Sequence, residues 1–317
     1  MKQLIDKTAN LPVGAIATAV GLATLSNLYF AIGFPAVRLV TMVCVALVWV
    51  AAFLKLTVHF KTFFVVDYIN TVPASLYATF TMLTMILGNF VFLFNESIGF
   101  AIWISGVGLH VIHILVFTYL HAIKNFNIET FVPSWFVTYM GFLVSTVVGA
   151  EKGAPTIFTA IVYYGFAMYV IIFPAMVIRL IKKPLPDQFK LTAGILLAPS
   201  SLLFVSYLNF TDEPIAGIVF ALYSIIFLTL LYIAYKLPQF LRIKFNPGFA
   251  ALTFPTAIAL VATFRMGDFL LNTGHYQLGT FVNHFFGIQL YITTAVIAFV
   301  AYGFLKMLSD SFEKKGA

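Results

Sequence analysis

Ten runs of about twenty apolar residues follow one another along the chain, and short polar stretches separate them. A helix needs roughly 20 apolar residues to cross the hydrocarbon core of a bilayer. The runs therefore predict ten membrane-spanning helices, numbered 1 to 10 in chain order, at about 12–32, 36–58, 72–94, 98–121, 131–149, 155–181, 190–210, 214–235, 248–267 and 281–305. The expected fold is an all-α integral membrane protein. It forms a single transmembrane domain over residues 1–317, with a short N-terminal segment (1–10) and a short tail (309–317).

The basic residues fall almost entirely on one side of this topology. Fifteen of the 18 Lys and Arg residues lie in the N-terminal segment, in or beside the connections after even-numbered helices, or at the C-terminal end. The opposite side holds Arg38, Lys152 and Arg265. Because positively charged loops stay in the cytoplasm, both termini are predicted to be cytoplasmic, in a cell (inner or plasma) membrane. Very short connections, including Glu151-Lys152-Gly153, then close hairpins 1–2, 3–4, 5–6, 7–8 and 9–10 on the outer side.

Each odd-numbered helix carries a proline followed by small residues near its predicted start. The candidate pore-lining residues in this repeat are Pro12, Gly14, Pro73, Ser75, Pro133, Ser134, Pro199, Ser200, Ser201 and, after Pro247, Gly248. Proline suits the first turn of any helix, which explains one or two cases but not five on alternate helices. Pro199 lies deeper in its run, where it is expected to kink helix 7. Small residues let membrane helices approach closely, so the pattern predicts a quasi-fivefold arrangement of five hairpins. Odd helices would form an inner ring around a pore, and even helices would face lipid.

Composition supports the membrane assignment and argues against nucleic acid as a partner. Hydrophobic residues make up 62% and charged residues 9% of the chain, with a mean hydropathy of +1.01. Soluble domains carry about a quarter charged residues, so lipid must replace water around much of this chain. The net charge of +7 has no long basic run behind it. We therefore interpret the charges as topological signals and expect no nucleic-acid partner.

Three motifs lie on odd-numbered helices. They are Pro133-Ser134-Trp135 on helix 5, Ala198-Pro199-Ser200-Ser201 on helix 7 and Ala251-Leu252-Thr253-Phe254-Pro255 on helix 9. Their order and positions, with the hairpin repeat, resemble the tellurite-resistance/dicarboxylate transporter family. That family includes bacterial tellurite-resistance membrane proteins, fungal malate and sulfite transporters, and plant slow anion channels. The resemblance implies a homotrimer in which each protomer passes anions through its own pore. It also implies that Phe254, followed by Pro255, plugs the pore near its middle.

The position of Phe254 can also be judged from the residues alone. It lies six residues beyond Gly248, about 9 Å along helix 9, which is an intramembrane depth. A ring that projects into a narrow pore closes it by sterics and dewetting. Alternatively the ring is packed or faces lipid, as expected for most of the 36 phenylalanines. Arg265 returns to nearly the same helix face and either draws anions to the outer mouth or serves as an interfacial anchor or partner of Asp268.

No acidic residue falls near the middle of a predicted span. Because intramembrane carboxylates commonly mark proton and ion pathways, their absence favours a passive channel for small inorganic or organic anions. The alternative is a proton-coupled secondary transporter of a small oxyanion or C4-dicarboxylate, of the tellurite, sulfite or malate type.

Histidines allow a third class, a metal or haem enzyme. His110, His113 and His121 lie on helix 4, and His284 lies on helix 10. Such residues bind metal or haem when they gather at one depth. These are spread along the helix, and no second pair completes a site. Packing or hydrogen-bonding histidines are the preferred interpretation, with no enzyme activity, cofactor or metal expected.

Overall fold

Helices account for every regular element in the computed structural model, which describes residues 2–149 and 153–313. Residues 1, 150–152 and 314–317 lie outside the described part. Predictions for the outer turn at Glu151-Lys152 and for the end of the tail therefore remain predictions.

Ten apolar helical segments, α1 to α10, follow the predicted order. Their bounds are Val13–Ala31 (α1), Pro35–Thr57 (α2), Thr71–Phe92 (α3), Glu96–Lys124 (α4), Trp135–Gly149 (α5), Pro155–Lys182 (α6), Asp187–Phe210 (α7), Ala216–Phe240 (α8), Pro247–Asn272 (α9) and Tyr276–Glu313 (α10). Within the described residues, nine are long and apolar enough to cross a membrane, whereas α5 is shorter. That α5 crosses the membrane as the tenth span therefore remains a prediction.

Some helix ends differ from the predicted bounds. Segment α10 begins at Tyr276 rather than 281, α8 continues to Phe240 rather than 235, and α5 begins at Trp135 rather than 131. Hydropathy marks the apolar part of a helix, whereas backbone hydrogen bonds continue into its polar ends. A helical stretch at 60–68, between α2 and α3, was also missed.

Burial separates odd-numbered from even-numbered segments. In the most apolar stretch of each, 67 to 89% of residues are buried in α1, α3, α7 and α9, against 22 to 33% in α2, α4, α6, α8 and α10. Most residues of α5 are buried as well. The even-numbered segments carry the strongly exposed apolar side chains, such as Leu47, Val170 and Tyr291, which suit contact with lipid.

The buried segments pack against one another in a closed order. Segment α1 contacts α3 and α9, α5 contacts α3 and α7, and α7 contacts α9. Each also packs against the even-numbered segment that follows it. We call the side with the connections after α2, α4, α6 and α8 the basic side, and the other side the short-loop side.

Four of these buried segments are interrupted rather than continuous α-helices. Segment α3 breaks at Tyr77, and α5 contains a 3₁₀ turn over Gly141–Leu143. Segments α7 and α9 start as 3₁₀ helix and become α-helix at Leu197 and Phe254. Irregular backbone at membrane depth is tolerated where it is packed in protein or lines a cavity.

Pro199 was predicted to kink α7, but it does not cause the break in this helix. The helix type changes two residues earlier, so Pro199 is the third residue of the α-helical part Leu197–Phe210. The first N–H groups of an α-helix have no intrahelical acceptor, so a proline there costs little. The break in α7 therefore lies at the end of its 3₁₀ part.

Candidate functional site

Two cavities lie between the odd-numbered segments. The outer cavity, of about 370 Å³, is lined by all five of them and extends to Ala31 and Asn209, at their ends on the short-loop side. The inner cavity, of about 20 Å³, lies toward the basic side and is also lined by all five. Its lining is almost entirely apolar, with Thr79 among its few polar residues. An open space and a narrow apolar space thus follow each other along the middle of the bundle.

The two cavities adjoin each other at Phe254. Among the described residues that line them, Phe254 is the one that both share, and 6% of it is exposed. Pro255 lines the inner cavity beside it. Phe254 and Pro255 therefore lie where the outer and inner cavities adjoin.

Local sequence determines where the ring stands. Asn246 caps the start of α9, with its side-chain oxygen accepting a hydrogen bond from the Gly248 N–H at 2.9 Å. The 3₁₀ part ends at Leu252, and Pro255 is the second residue of the α-helical part, where its missing N–H costs little. The Thr253 hydroxyl donates to the Ala250 carbonyl at 2.7 Å. Phe254 therefore lies at the change of helix type.

Two glycines on neighbouring segments press against this turn. A Cβ added at Gly21 of α1 would lie 2.7 Å from the Phe254 nitrogen and 2.7 Å from Thr253 Cβ. A Cβ added at Gly194 of α7 would lie 2.8 Å from the Ala251 carbonyl oxygen. Real Cβ atoms do not approach this closely, so only glycine fits at either position without movement. The backbone that carries Phe254 is thus held from two sides.

Amides and arginines supply the strongest polar groups of the outer cavity. Its polar lining residues are Thr24, Asn27, Arg38, Asn89, Asn209 and Arg265. The three asparagines come from three different odd-numbered segments, all near the short-loop side. No carboxylate lines either cavity among the residues that the structure describes. The outer cavity therefore offers cationic and amide groups to a solute.

Arg38 and Arg265 differ in their surroundings. Arg38, on α2, is 6% exposed, and its guanidinium carbon lies 4.6 Å from the centre of the Phe30 ring and 5.6 Å from that of Phe90. Arg265, on α9, is partly buried and interacts electrostatically with Asp268. Both expected roles of Arg265, anion attraction and pairing with Asp268, agree with this position.

The predicted proline and glycine candidates occupy positions in packed backbone. Pro12 precedes α1, Pro73 lies in the first turn of α3, and Pro133 lies in the turn before α5. A Cβ added at Gly14 would lie 2.5 Å from the Pro247 carbonyl oxygen, so this glycine brings α1 against the start of α9. None of these residues is part of the two cavity linings.

The predicted serines are buried outside the two linings as well. Ser75 and Ser201 donate to carbonyls of their own helices, Val72 at 2.8 Å and Leu197 at 2.6 Å. Ser200 is hydrogen-bonded to the Tyr169 hydroxyl of α6 at 2.8 Å. Ser134 is fully buried, and its hydroxyl has no hydrogen-bond partner among the described residues.

Sequence reasoning missed the amides and Arg38. Asn27, Asn89 and Asn209 each lie near the end of an odd-numbered helix, so a search for polar residues at equivalent positions of the repeat would have found them. Arg38 is one of three basic residues on the short-loop side, and this rarity was a signal in the sequence that could have identified it as a candidate.

The histidines of α4 form a hydrogen-bonded network. His110 is bonded to the Thr81 hydroxyl at 2.6 Å and to the Thr138 carbonyl at 2.9 Å. His113 is bonded to the Tyr68 hydroxyl at 3.0 Å and to the Thr138 hydroxyl at 3.2 Å. His121 is bonded to the Thr71 hydroxyl and to the Tyr68 carbonyl. These contacts support the hydrogen-bonding interpretation, and the described residues contain no group of three metal-binding side chains.

Comparisons with known proteins agree with this architecture. The family model described as voltage-dependent anion channel (SLAC1) matches residues 10–307. The tellurite resistance protein TehA homolog of Haemophilus influenzae is 26% identical over 266 residues, which cover 80% of each chain. The resemblance seen in the helix motifs is thereby confirmed, the family supports a role in anion transport, and the nine long apolar helices of the described part agree with a multi-pass membrane protein. This multi-pass membrane protein belongs to the SLAC1 family of voltage-dependent anion channels.

Proposed function

We propose that this protein is a passive anion channel whose pore runs between α1, α3, α5, α7 and α9 and is closed by Phe254. The observation that carries the proposal is that Phe254 lines both cavities, each of which is also lined by all five of these segments. In this arrangement α5 also crosses the membrane, so that ten helices form five hairpins with quasi-fivefold symmetry. The even-numbered helices make an outer ring against lipid.

Selection for anions rests on the outer cavity. Arg38 and Arg265 create a positive potential at its walls, and a positive cleft raises the local concentration of anions. The Asn27 amide adds an N–H donor that replaces part of the hydration shell of an anion, whereas the Asn209 amide donates to the Thr146 and Val147 carbonyls at 3.2 and 3.3 Å. The expected solutes are small inorganic or organic anions. Tellurite belongs in the test panel because the Haemophilus relative is named for resistance to it.

The charge distribution favours a passive channel over a proton-coupled transporter. Carboxylates on the path commonly mark proton relays in coupled carriers. The described linings of both cavities lack one, and Asp67 lies in the 60–68 stretch, paired with Lys55 at 2.6 Å. Reversal potentials distinguish the two mechanisms, because a channel follows the Nernst potential of the anion whereas a coupled carrier also responds to a pH gradient.

The gate is tested by replacing Phe254 with alanine. Removing the ring joins the two cavities, so anion current in oocytes or planar bilayers should rise by about tenfold or more. Phe264→Ala is the matched control, because that ring also lines the outer cavity on α9 but is not shared with the inner one. Unchanged current from a well-expressed Phe254→Ala protein would refute the gate.

The Phe254→Ala protein can also be used to distinguish the two alternatives for Arg265, anion attraction and a structural role. In the Phe254→Ala protein, Arg265→Gln should lower single-channel anion conductance if the guanidinium draws anions to the mouth. An unaltered conductance together with lower protein stability would instead identify an interfacial anchor or a structural partner of Asp268.

We further propose that three protomers assemble, each with its own pore, and that both termini are cytoplasmic. The exposed apolar surface of the even-numbered segments gives room for such packing. Native mass spectrometry from detergent should give a mass three times that of the 35.2 kDa chain. A mass of a single chain across detergents would refute the trimer without affecting the pore.

A further inference from the structure

A second pair of cavities lies outside the pore, between α6, α7 and α8. One, which we call the basic cavity, has about 430 Å³ and lies at the basic side beside the connection 183–186. The other, which we call the apolar groove, has about 380 Å³. The two share the lining residues Leu180, Leu196 and Tyr232, so they lie next to each other along the outside of the bundle.

The apolar groove faces the surroundings of the protein rather than its core. Two of its lining side chains, Ile181 and Leu228, are 79% and 65% exposed. Thr229 is one of its few polar residues, and its hydroxyl donates to the Ile225 carbonyl of its own helix at 2.7 Å. In a membrane such a surface contacts acyl chains.

The basic cavity has cationic groups at the end of that groove. Lys190 of α7 and Lys236 of α8 both line it. The ammonium group of Lys236 lies 3.5 Å from the Gln239 side-chain oxygen and 5.4 Å from the centre of the Tyr235 ring. Two lysines from different helices therefore line one cavity beside the apolar surface.

One carboxylate is also near this cavity. Asp187 pairs with Lys190 at 2.7 Å, and the two side chains are 93% and 55% exposed. Exposed ion pairs of neighbouring residues on a helix contribute little to stability, so Asp187 competes only weakly with a phosphate for Lys190. The net charge at the cavity remains positive.

We propose that the basic cavity and the apolar groove together bind one anionic glycerophospholipid. Its phosphate lies between Lys190 and Lys236, and an acyl chain follows the groove past Leu196 and Thr229. Charge and shape both argue for this occupant. A free phosphate would use the lysines and leave the groove empty, whereas a neutral sterol or chain would use the groove alone. Lysines at helix ends near the membrane surface attract anionic headgroups.

Native mass spectrometry with defined lipids tests the proposal. The full chain is purified in detergent and titrated with phosphatidylglycerol or with phosphatidylcholine of the same acyl chains. We expect tighter binding of phosphatidylglycerol, and a loss of about 25-fold in its affinity in the Lys190→Gln/Lys236→Gln protein, about fivefold for each lysine. The control is Lys61→Gln/Lys124→Gln, which removes the same charge from exposed lysines that do not line the cavity.

A second variant tests the groove independently of charge. Thr229→Trp fills the apolar groove and leaves both lysines in place, so it should also weaken phosphatidylglycerol binding. Equal binding of the two lipids, or equal losses in the cavity and control lysine variants, would overturn the proposal. Disruption of a multimer by Thr229→Trp, with lipid binding unchanged, would also overturn it and identify a second copy of the chain as the occupant of the groove.

Discussion

At the scale of single residues, the gate function that we propose for Phe254 depends as much on its backbone as on its ring. It is one of 36 phenylalanines, and most of the others pack in the core or face outward. What distinguishes it is a turn held between Gly21 and Gly194, where a larger side chain would meet backbone atoms. The proposed gate requires such a support, because a mobile backbone would move the ring away from the place where the two cavities adjoin.

The Gly21→Ala variant tests this support. The added methyl would meet the Phe254 nitrogen and Thr253 Cβ at 2.7 Å, so the turn must move. We expect a higher basal anion current, and a free energy of unfolding lower by about 1–3 kcal/mol, as for other overpacked sites. Currents are measured beside those of Gly108→Ala, since a Cβ added at Gly108 of α4 meets nothing within 4 Å. Identical basal currents in the two variants would show that the turn is not needed for closure.

At the scale of elements, α4 is an outer helix that is bound to the inner ones by polar contacts. Its histidines reach Thr81 and Thr71 on α3, Thr138 on α5 and Tyr68 in the 60–68 stretch. In lipid, apolar packing between helices gains little over contact with acyl chains, so interhelical hydrogen bonds help to determine which helices associate. The network therefore positions α3 and α5 relative to each other at the level of the inner cavity.

Replacing His110 with alanine tests the contribution of this network. His110 is fully buried with both ring nitrogens bonded, so its loss leaves the Thr138 carbonyl without that donor and opens a void. We expect the apparent free energy of unfolding in an SDS titration to fall by about 2 to 4 kcal/mol. His284→Ala, at an exposed position of α10, should change it by less than about 0.5 kcal/mol. Similar losses for both histidines would argue against a special role for the network.

At the scale of the whole molecule, the distribution of buried helices and the distribution of positive charge both fit a protein built from hairpins in a membrane. Buried segments alternate with exposed ones along the chain, and positive charge collects on one side. The proposed five hairpins explain the first, since each would contribute one helix to the interior. The second predicts how those hairpins are oriented in the bilayer, because basic loops are retained in the cytoplasm.

Cysteine labelling tests this orientation. The chain has one cysteine, Cys44, which is exposed on α2, so a Cys44→Ser protein provides a background without reactive thiols. In intact cells, a membrane-impermeant maleimide should label Asp212→Cys, in the connection between α7 and α8. It should label Lys244→Cys, between α8 and α9, only after permeabilisation. The reverse pattern would invert the topology.

Much of this protein could be predicted from the order of its residues alone. Apolar runs of about twenty residues require lipid, charge asymmetry predicts sidedness, and a proline with small residues on alternate helices indicates which helices are buried. The motif around Phe254 also identified the family and a gate candidate. These properties follow from stretches of contiguous sequence, since each helix satisfies its own backbone hydrogen bonds.

Only the tertiary structure decided which side chains share a space. Asn27, Asn89 and Asn209 meet at one cavity although each is far from the others in sequence, and Arg38 joins them from an outer helix. The hydroxyls of Ser75 and Ser201, which looked suited to solutes, instead bond to carbonyls of their own helices. The physical reason is that the rotation of each helix about its axis depends on packing against several others at once, and no single segment contains that information.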